Sequence, residues 1–336
     1  MITLGVETSC DETAVALVED GRVLSGEVSS SVHLHSRYGG VVPEIASRYH
    51  VEYIFPVLEK ALSDAGRTID DVDRVAVTRG PGLPGSLLVG ISFAKAISFA
   101  RNIPLVGVNH LHAHILSCFL DEDGCNTVCD MFPFVGVVVS GGHTSIYVCS
   151  SLKDLALIGR TKDDAVGEAF DKVAKMLGLG YPGGPVVEER AARYTGGDII
   201  KFPRALLADK TDLDFSFSGI KTAVLYYWRD CAKTEEEIDR ICASFQEAVT
   251  DVIDKKVARA MKHTGVKRIA VGGGVVSNRS LRRRLADRCQ KEGYELYLPS
   301  REHCADNAAM VAALGECLFE LGEEADFYMT ASSGGK

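Results

Sequence analysis

The chain has 336 residues, 46% of them hydrophobic and 25% charged, which suits a globular protein with one large two-lobed domain or two domains of ordinary size. Its formal net charge of −9 argues against wholesale coating of nucleic acid. Met1-Ile2-Thr3-Leu4 runs straight into a strand-like segment without a signal-peptide pattern, and no apolar stretch approaches the ~20 residues that span a bilayer, so a cytoplasmic protein without membrane contact is expected.

Residues 2–18, ITLGVETSCDETAVALV, read as strand, short polar turn of small residues, strand. Arg74 to Thr78 is a strand running into Gly80-Pro81-Gly82-Leu83-Pro84-Gly85-Ser86, after which Leu87, Leu88, Ile91 and Ala94 recur at helical spacing. A strand from Ile103 to Val108 feeds His110-Leu111-His112-Ala113-His114. If that segment is helical, His110 and His114 lie one turn apart on one face, and His112 points away. Two imidazoles so spaced suit a first-row transition metal; the alternative is a pair of partly exposed histidines with ordinary partners. A zinc-protease helix needs Glu directly after its first His, and position 111 is Leu.

The ten cysteines are scattered without a CxxC pair, so reduced, mostly buried thiols are expected; the closest two, Cys125 and Cys129, fall in a loop-like stretch. Residues 134–149, FVGVVVSGGHTSIYVC, repeat the strand–turn–strand layout of the first hairpin, with Ser140-Gly141-Gly142-His143-Thr144 as the turn. Small residues there let backbone N–H groups approach a phosphate. Such a hairpin opening each half of a chain is the layout of actin-like ATPases, which hold a nucleotide between two lobes. Asp163 to Lys172 is an acidic helix start, in which Asp171 is either a contact to a ribose or metal-bound group or a surface residue. Tyr181 to Pro185 is a rigid turn, and Phe215 to Thr222 reads as a strand leading into a helix.

Ile238, Ile241, Phe245, Val249, Val252, Ile253, Val257 and Met261 mark an amphipathic helix that Gly265 ends. A strand from Arg268 to Val271, the loop Gly272-Gly273-Gly274, a helix from Arg279 to Lys291 and a strand from Glu295 to Leu298 make a βαβ unit with parallel strands. The glycine loop is a nucleotide approach or a plain tight turn, and it is not the GxGxxG of dinucleotide binding. Lysines and arginines concentrate between Lys255 and Arg301, as two solvated helices or as a local basic face. Asp306 heads a C-terminal helix, as a third metal ligand or as an N-cap. Two His and one carboxylate with open positions form a ligand set for Fe(II), with Zn(II) also suited.

Ten stretches, in order over nearly the whole chain, resemble one family: ETSCDET (7–13), PEIASR (43–48), TRGPGLPGSL (78–87), HLHAH (110–114), VSGGHT (139–144), GEAFDKVAKMLGL (167–179), YPGGP (181–185), FSFSGIKT (215–222), GGGVVSN (272–278) and ADNAAM (305–310). The family is the tRNA N6-adenosine threonylcarbamoyltransferases (TsaD family, bacterial or organellar type), formerly called O-sialoglycoprotein endopeptidases. The resemblance implies an α/β fold of the actin-like ATPase (sugar kinase/Hsp70/actin) type, with two lobes, each a mixed sheet flanked by helices. The lobes would be residues 1–120 with 305–336, and residues 130–304, with the active site between them. It implies transfer of the threonylcarbamoyl group from threonylcarbamoyl-AMP to N6 of the adenosine 3′-adjacent to the anticodon in tRNAs reading ANN codons. Carried over by motif, His110, His114 and Asp306 match the ligands of one divalent metal, Fe(II) before Zn(II). Val138, Val139, Ser140, Gly141, Gly142, Asp171, Gly184, Glu188 and Asn278 match the substrate or adenine-nucleotide contacts. Some members have Asp where Glu188 stands, and the SN of GGGVVSN replaces a commoner AN. No residue is assigned as general base. The family works with tRNA, a paralogous actin-like partner protein and a small ATPase (TsaB and TsaE type). The rival readings are a metalloprotease, which Leu111 opposes, and an actin-like nucleotide-binding scaffold, which needs phosphate loops but no histidine pair.

Overall fold

The computed structural model describes residues 1–120 and 128–332. In chain order they form β1 (Ile2–Glu7), β2 (Glu12–Glu19), β3 (Arg22–Ser30), α1 (Val32–His35), α2 (Pro43–Asp64), β4 (Arg74–Gly80), α3 (Pro84–Arg101), β5 (Leu105–Asn109), α4 (His110–Leu116) and α5 (Val128–Met131). Then follow β6 (Phe134–Val139), β7 (Thr144–Ser151), β8 (Asp154–Arg160), α6 (Val166–Met176), α7 (Gly183–Arg193), α8 (Ser218–Asp230), α9 (Glu235–Thr264), β9 (Arg268–Gly272), α10 (Arg279–Glu292), β10 (Glu295–Tyr297) and α11 (Ala308–Glu320). The chain divides into two compact units, one of Met1–Phe132, Ser151–Asp154 and Leu298–Lys336, the other of Pro133–Ser150 and Leu155–Tyr297.

Each unit holds a five-stranded mixed sheet, and the two sheets share one plan. In the first, ordered β3-β2-β1-β4-β5, β1 turns back antiparallel onto β2 and lies parallel to β4, which lies parallel to β5. In the second, ordered β10-β9-β6-β7-β8, β6 pairs antiparallel with β7 and parallel with β9, and β9 parallel with β10. The central strands β1 and β6 are buried at every residue, so they read as near-continuous apolar runs without alternation. Both hairpins and the parallel βαβ unit stand where the sequence pattern put them.

Helix ends follow local chemistry. Thr234 caps α9 by accepting from the Glu237 N–H, three glutamates occupy its first turn, and Gly265 closes it with φ +71°. The small residues of α11 let it lie unusually close to the first sheet. A Cβ on Gly5 would stand 2.3 Å from the Ala308 carbonyl oxygen, and one on Gly315 would stand 2.2 Å from the Ala76 Cβ. The start of α11 is thereby pinned against β1.

The basic stretch is neither a plain solvated surface nor a continuous basic face. Lys256 is buried and donates to the Leu206 and Asp212 carbonyls, and Arg259 donates to those of Leu206, Leu207, Asp209 and Asp212. Arg284 pairs with Asp251 at 3.1 Å, and Arg288 grips both oxygens of Asp254. Acids of α9 consume much of this charge, which a count along the chain cannot show. Among the described residues Cys149, Cys242, Cys289 and Cys304 are buried, and Cys10, Cys118, Cys231 and Cys317 partly so. Cys125 and the Cys129 side chain lie outside the described residues. No helix among the described residues is long and apolar enough to cross a membrane.

Candidate functional site

β5 ends at Asn109, whose side chain accepts from the Leu111 and His112 N–H groups and so starts α4 at His110. The helix puts His110 and His114 on one face, with ring centroids 4.6 Å apart. His112 stands outside the pair, its ring pushed down to about 4 by burial and the positive Arg79. Asp306 comes from the far end of the chain and meets His114 Nε2 at 3.0 Å and His110 Nε2 at 3.7 Å. The N-cap alternative for Asp306 is removed: the cap of α11 is Asn307, which accepts from the Met310 N–H at 3.0 Å.

His110, His114 and Asp306 each offer a ligand atom, and all three atoms lie within 4.8 Å of one another. The histidines are buried, and Asp306 retains 18% side-chain exposure, so the cluster opens on the Asp306 side. Behind His110 stands Glu7, a residue the sequence reading missed as part of the site. Its Oε2 meets His110 Nδ1 at 3.0 Å and accepts from Thr78 Oγ1, while Oε1 accepts from the Ser9 N–H. A carboxylate that orients a histidine from behind is the usual support of a metal-binding imidazole. Its signal in the sequence is slight: one acid ending an otherwise apolar buried strand.

The electrostatics also favour a cation. Burial alone would lower the His110 ring, but the Glu7 and Asp306 carboxylates outweigh it and carry the ring up to about 9. Burial would raise Glu7, yet the His110 charge and the hydrogen bonds from His110 and Thr78 hold it below the ordinary carboxylate value. Burial, then Asp11 and Asp306, push Glu12 well above its usual range. Carboxylates crowded at one buried point call for a positive charge, and this donor set fits a divalent transition metal.

The second group of predicted residues lies in the other unit and forms one contiguous set. Val138 and Val139 are buried at the end of β6, where the chain turns through Ser140-Gly141-Gly142. Ser140 Oγ accepts from the His143 N–H, and the first turn of α6 grips the loop's other side: Gly167 N–H donates to the Ser140 carbonyl at 3.1 Å and Glu168 N–H to the Gly141 carbonyl at 3.2 Å. With its carbonyls held there, the loop keeps open space around Gly141 and Gly142, where no atom lies within 4 Å of a would-be Cβ. Asp171 Oδ1 accepts from the Gly183 N–H at the start of α7, one residue before Gly184. Glu188 Oε1 accepts from the Arg279 N–H, and Asn278 caps α10 while donating to Gln246. Asp171 is therefore no idle surface acid. These residues tie α6 to the start of α7 and α7 to the start of α10, and α6 holds a loop whose Gly141 and Gly142 leave backbone exposed, features suited to a phosphate-bearing ligand.

The chain is similar to known proteins along nearly its whole length. A family model described as TsaD, tRNA N6-adenosine threonylcarbamoyltransferase, matches residues 22–313. A tRNA N6-adenosine threonylcarbamoyltransferase of Desulforapulum autotrophicum is 53% identical over 327 residues, 96% of each chain. One of Syntrophus aciditrophicus is 48% identical over 336 residues, 99% of this chain and 97% of that protein. Among solved structures, the activator of the 2-hydroxyisocaproyl-CoA dehydratase from Clostridium difficile with bound ADPNP superposes with a TM-score of 0.53 at 17% identity, covering 97% of this chain and 99% of that one. At that identity the likeness speaks for the fold, which is the α/β fold of actin-like ATPases.

Proposed function

This chain belongs to the tRNA N6-adenosine threonylcarbamoyltransferase family and is a transferase of the acyltransferase type, and from that premise we propose the reaction and the residues that carry it. The enzyme takes threonylcarbamoyl-AMP and a tRNA reading ANN codons. The exocyclic N6 amine of the adenosine 3′-adjacent to the anticodon attacks the threonylcarbamoyl carbonyl carbon, the bond from that carbon to the phosphate oxygen breaks, and AMP leaves. The observation that carries the reading is the buried His110–His114–Asp306 cluster with Glu7 behind it.

His110, His114 and Asp306 hold one divalent metal, Fe(II) by preference and Zn(II) as the alternative. When bound, the metal supplies Lewis-acid stabilisation of developing negative charge. Glu7 orients His110 by its hydrogen bond to Nδ1. The backbone N–H groups of Gly141 and Gly142, in the turn that Ser140 closes through its N–H to the His143 carbonyl, receive the phosphate, and Val138, Val139, Asp171, Gly184, Glu188 and Asn278 shape the place of the adenosine. No general base is assigned, since an adenylate is already a good leaving group. The protein acts in the cytoplasm with a paralogous actin-like subunit and a small ATPase. Val51 and Phe55 of α2 and Leu88 of α3, each more than half exposed, support docking of an apolar partner surface.

The scaffold reading gives no reason for a supported three-ligand cluster, and buried Leu111 leaves a protease without its base. Reconstitution with synthase, partner proteins, threonine, bicarbonate, ATP and tRNA, followed by nucleoside mass spectrometry, tests the proposal. Threonylcarbamoyl-adenosine should form with the wild-type chain and not with His110→Ala or Asp306→Ala. Equal product from those variants refutes the metal-centred reading.

A further inference from the structure

FSFSGIKT (215–222) has no part in the site described so far, yet it is tied to it through one acid. Asp163 Oδ1 accepts from the Phe217 N–H at 2.8 Å and the Ser218 N–H at 3.2 Å, while Oδ2 accepts from Ser216 Oγ at 2.6 Å and Ser218 Oγ at 2.7 Å. Asp163 thus caps α8 from a distant segment, although the sequence pattern placed it at the start of its own helix. Asp164 next to it pairs with Lys221 of α8 and with Lys172 of α6. The Lys162 N–H donates to the Phe215 carbonyl at 3.0 Å, closing the same junction through backbone.

Residues 161–168 then run along the loop of the second unit. The Thr161 N–H donates to the Thr144 carbonyl at 2.8 Å, and the Val166 N–H to Thr144 Oγ1 at 2.9 Å. The Gly167 and Glu168 N–H groups hold the Ser140 and Gly141 carbonyls. The loop is therefore oriented by α6, and the segment leading into α6 is joined to α8 and the residues before it by the four acceptor contacts of Asp163, the backbone bridge of Thr161 to Phe215 and the Asp164–Lys221 pair. Burial would raise this carboxyl, but its hydroxyl and backbone donors outweigh it and hold it below the usual value, so Asp163 stays ionised near neutral pH.

We infer that Asp163 is a positioning residue for the Ser140–Gly142 loop, holding residues 161–168 so that the loop's carbonyls face α6 and its free backbone faces an adenine-nucleotide phosphate. The inference rests on the reading that this loop receives phosphate. It gives Phe215–Thr222 a task, as the socket for Asp163 and not as a ligand contact.

The test is titration of the purified full chain with ADP by calorimetry, beside thermal unfolding of each variant. Asp163→Ala should weaken ADP binding by about tenfold or more. Asp163→Asn, which keeps an acceptor for the two backbone N–H groups, should recover most of that loss. The double change Ser216→Ala/Ser218→Ala, which leaves the backbone cap in place, should weaken binding less than Asp163→Ala. Lys256→Ala, which removes a buried anchor elsewhere in the same unit, should lower Tm without moving ADP affinity. Wild-type affinity in folded Asp163→Ala overturns the inference alone, as does equal weakening by Lys256→Ala at equal loss of Tm. Absence of ADP binding by the wild type overturns the phosphate-loop reading and the inference with it.

Discussion

The His–His–Asp cluster of the first unit and the loop of the second are built by opposite means. The cluster uses side chains: two imidazoles, two carboxylates and a threonine, all buried but Asp306 and linked by hydrogen bonds of 2.6–3.0 Å from Thr78 to Glu7, Glu7 to His110 and His114 to Asp306. The loop uses backbone, with Gly141 and Gly142 exposed and open space beside them, oriented by hydrogen bonds from α6. A side-chain site fails when a ligand atom is removed. A backbone site fails when something pushes it out of place, even where every residue of the loop is intact.

That contrast orders the expected effects. Asp306→Ala should strip the first unit of metal, from about one ion per chain to under about a tenth, and reduce tRNA modification by ~10²-fold or more, because a Lewis acid contributes several kcal/mol. Elemental analysis and nucleoside mass spectrometry read both. Glu7→Gln should retain metal but weaken its binding by ~10–100-fold in chelator competition, the usual cost of losing the group behind a ligand. Gly167→Ala should leave metal content untouched and weaken ADP binding by about tenfold, since a Cβ there would stand 2.7 Å from the Gly141 Cα and force the loop to move. Loss of metal in Gly167→Ala would break the division of labour between the units. The smallest effect is on the stability of the metal-free protein. The His110 ring stands at about 9 against an ordinary 6.5, so its pairing with Glu7 and Asp306 stabilises fully below pH 6.5 and is lost as pH rises through 9. Thermal unfolding of chelated protein should show a Tm a few degrees lower at pH 9.5 than at pH 6.5, and His110→Gln should flatten that slope.

The same contrast explains what the sequence revealed. Both hairpins, the long helix ending at Gly265 and the parallel unit around Gly272–Gly274 follow from local periodicity and glycine placement, and they stand in the structure. The histidine pair was legible because helical spacing is local. Asp306 was ambiguous because ligand and N-cap look alike in sequence; Asn307, one residue on, takes the cap. Glu7 was missed, and Asp163 placed in the start of its own helix, because their partners lie 103 and more than 50 residues away, and no local pattern records such contacts. The resemblance to a family supplied what spacing could not, including Glu188 and Asn278; Glu188, midway along α7, accepts from the first N–H of α10, and Asn278 caps that helix.

The first unit is discontinuous in sequence, and this sets a timetable for its assembly. His114 and Asp306 are 192 residues apart, and the intervening stretch includes the whole of the second unit. At a synthesis rate of ~5–20 residues per second, the histidine pair leaves the ribosome roughly 10–40 s before its third ligand. By the end of that interval the second unit has all its strands, while the first still lacks the helix that lies across Gly5 and Ala76. A nascent chain therefore offers two imidazoles without their carboxylate, and the complete His–His–Asp cluster becomes available only when α11 docks.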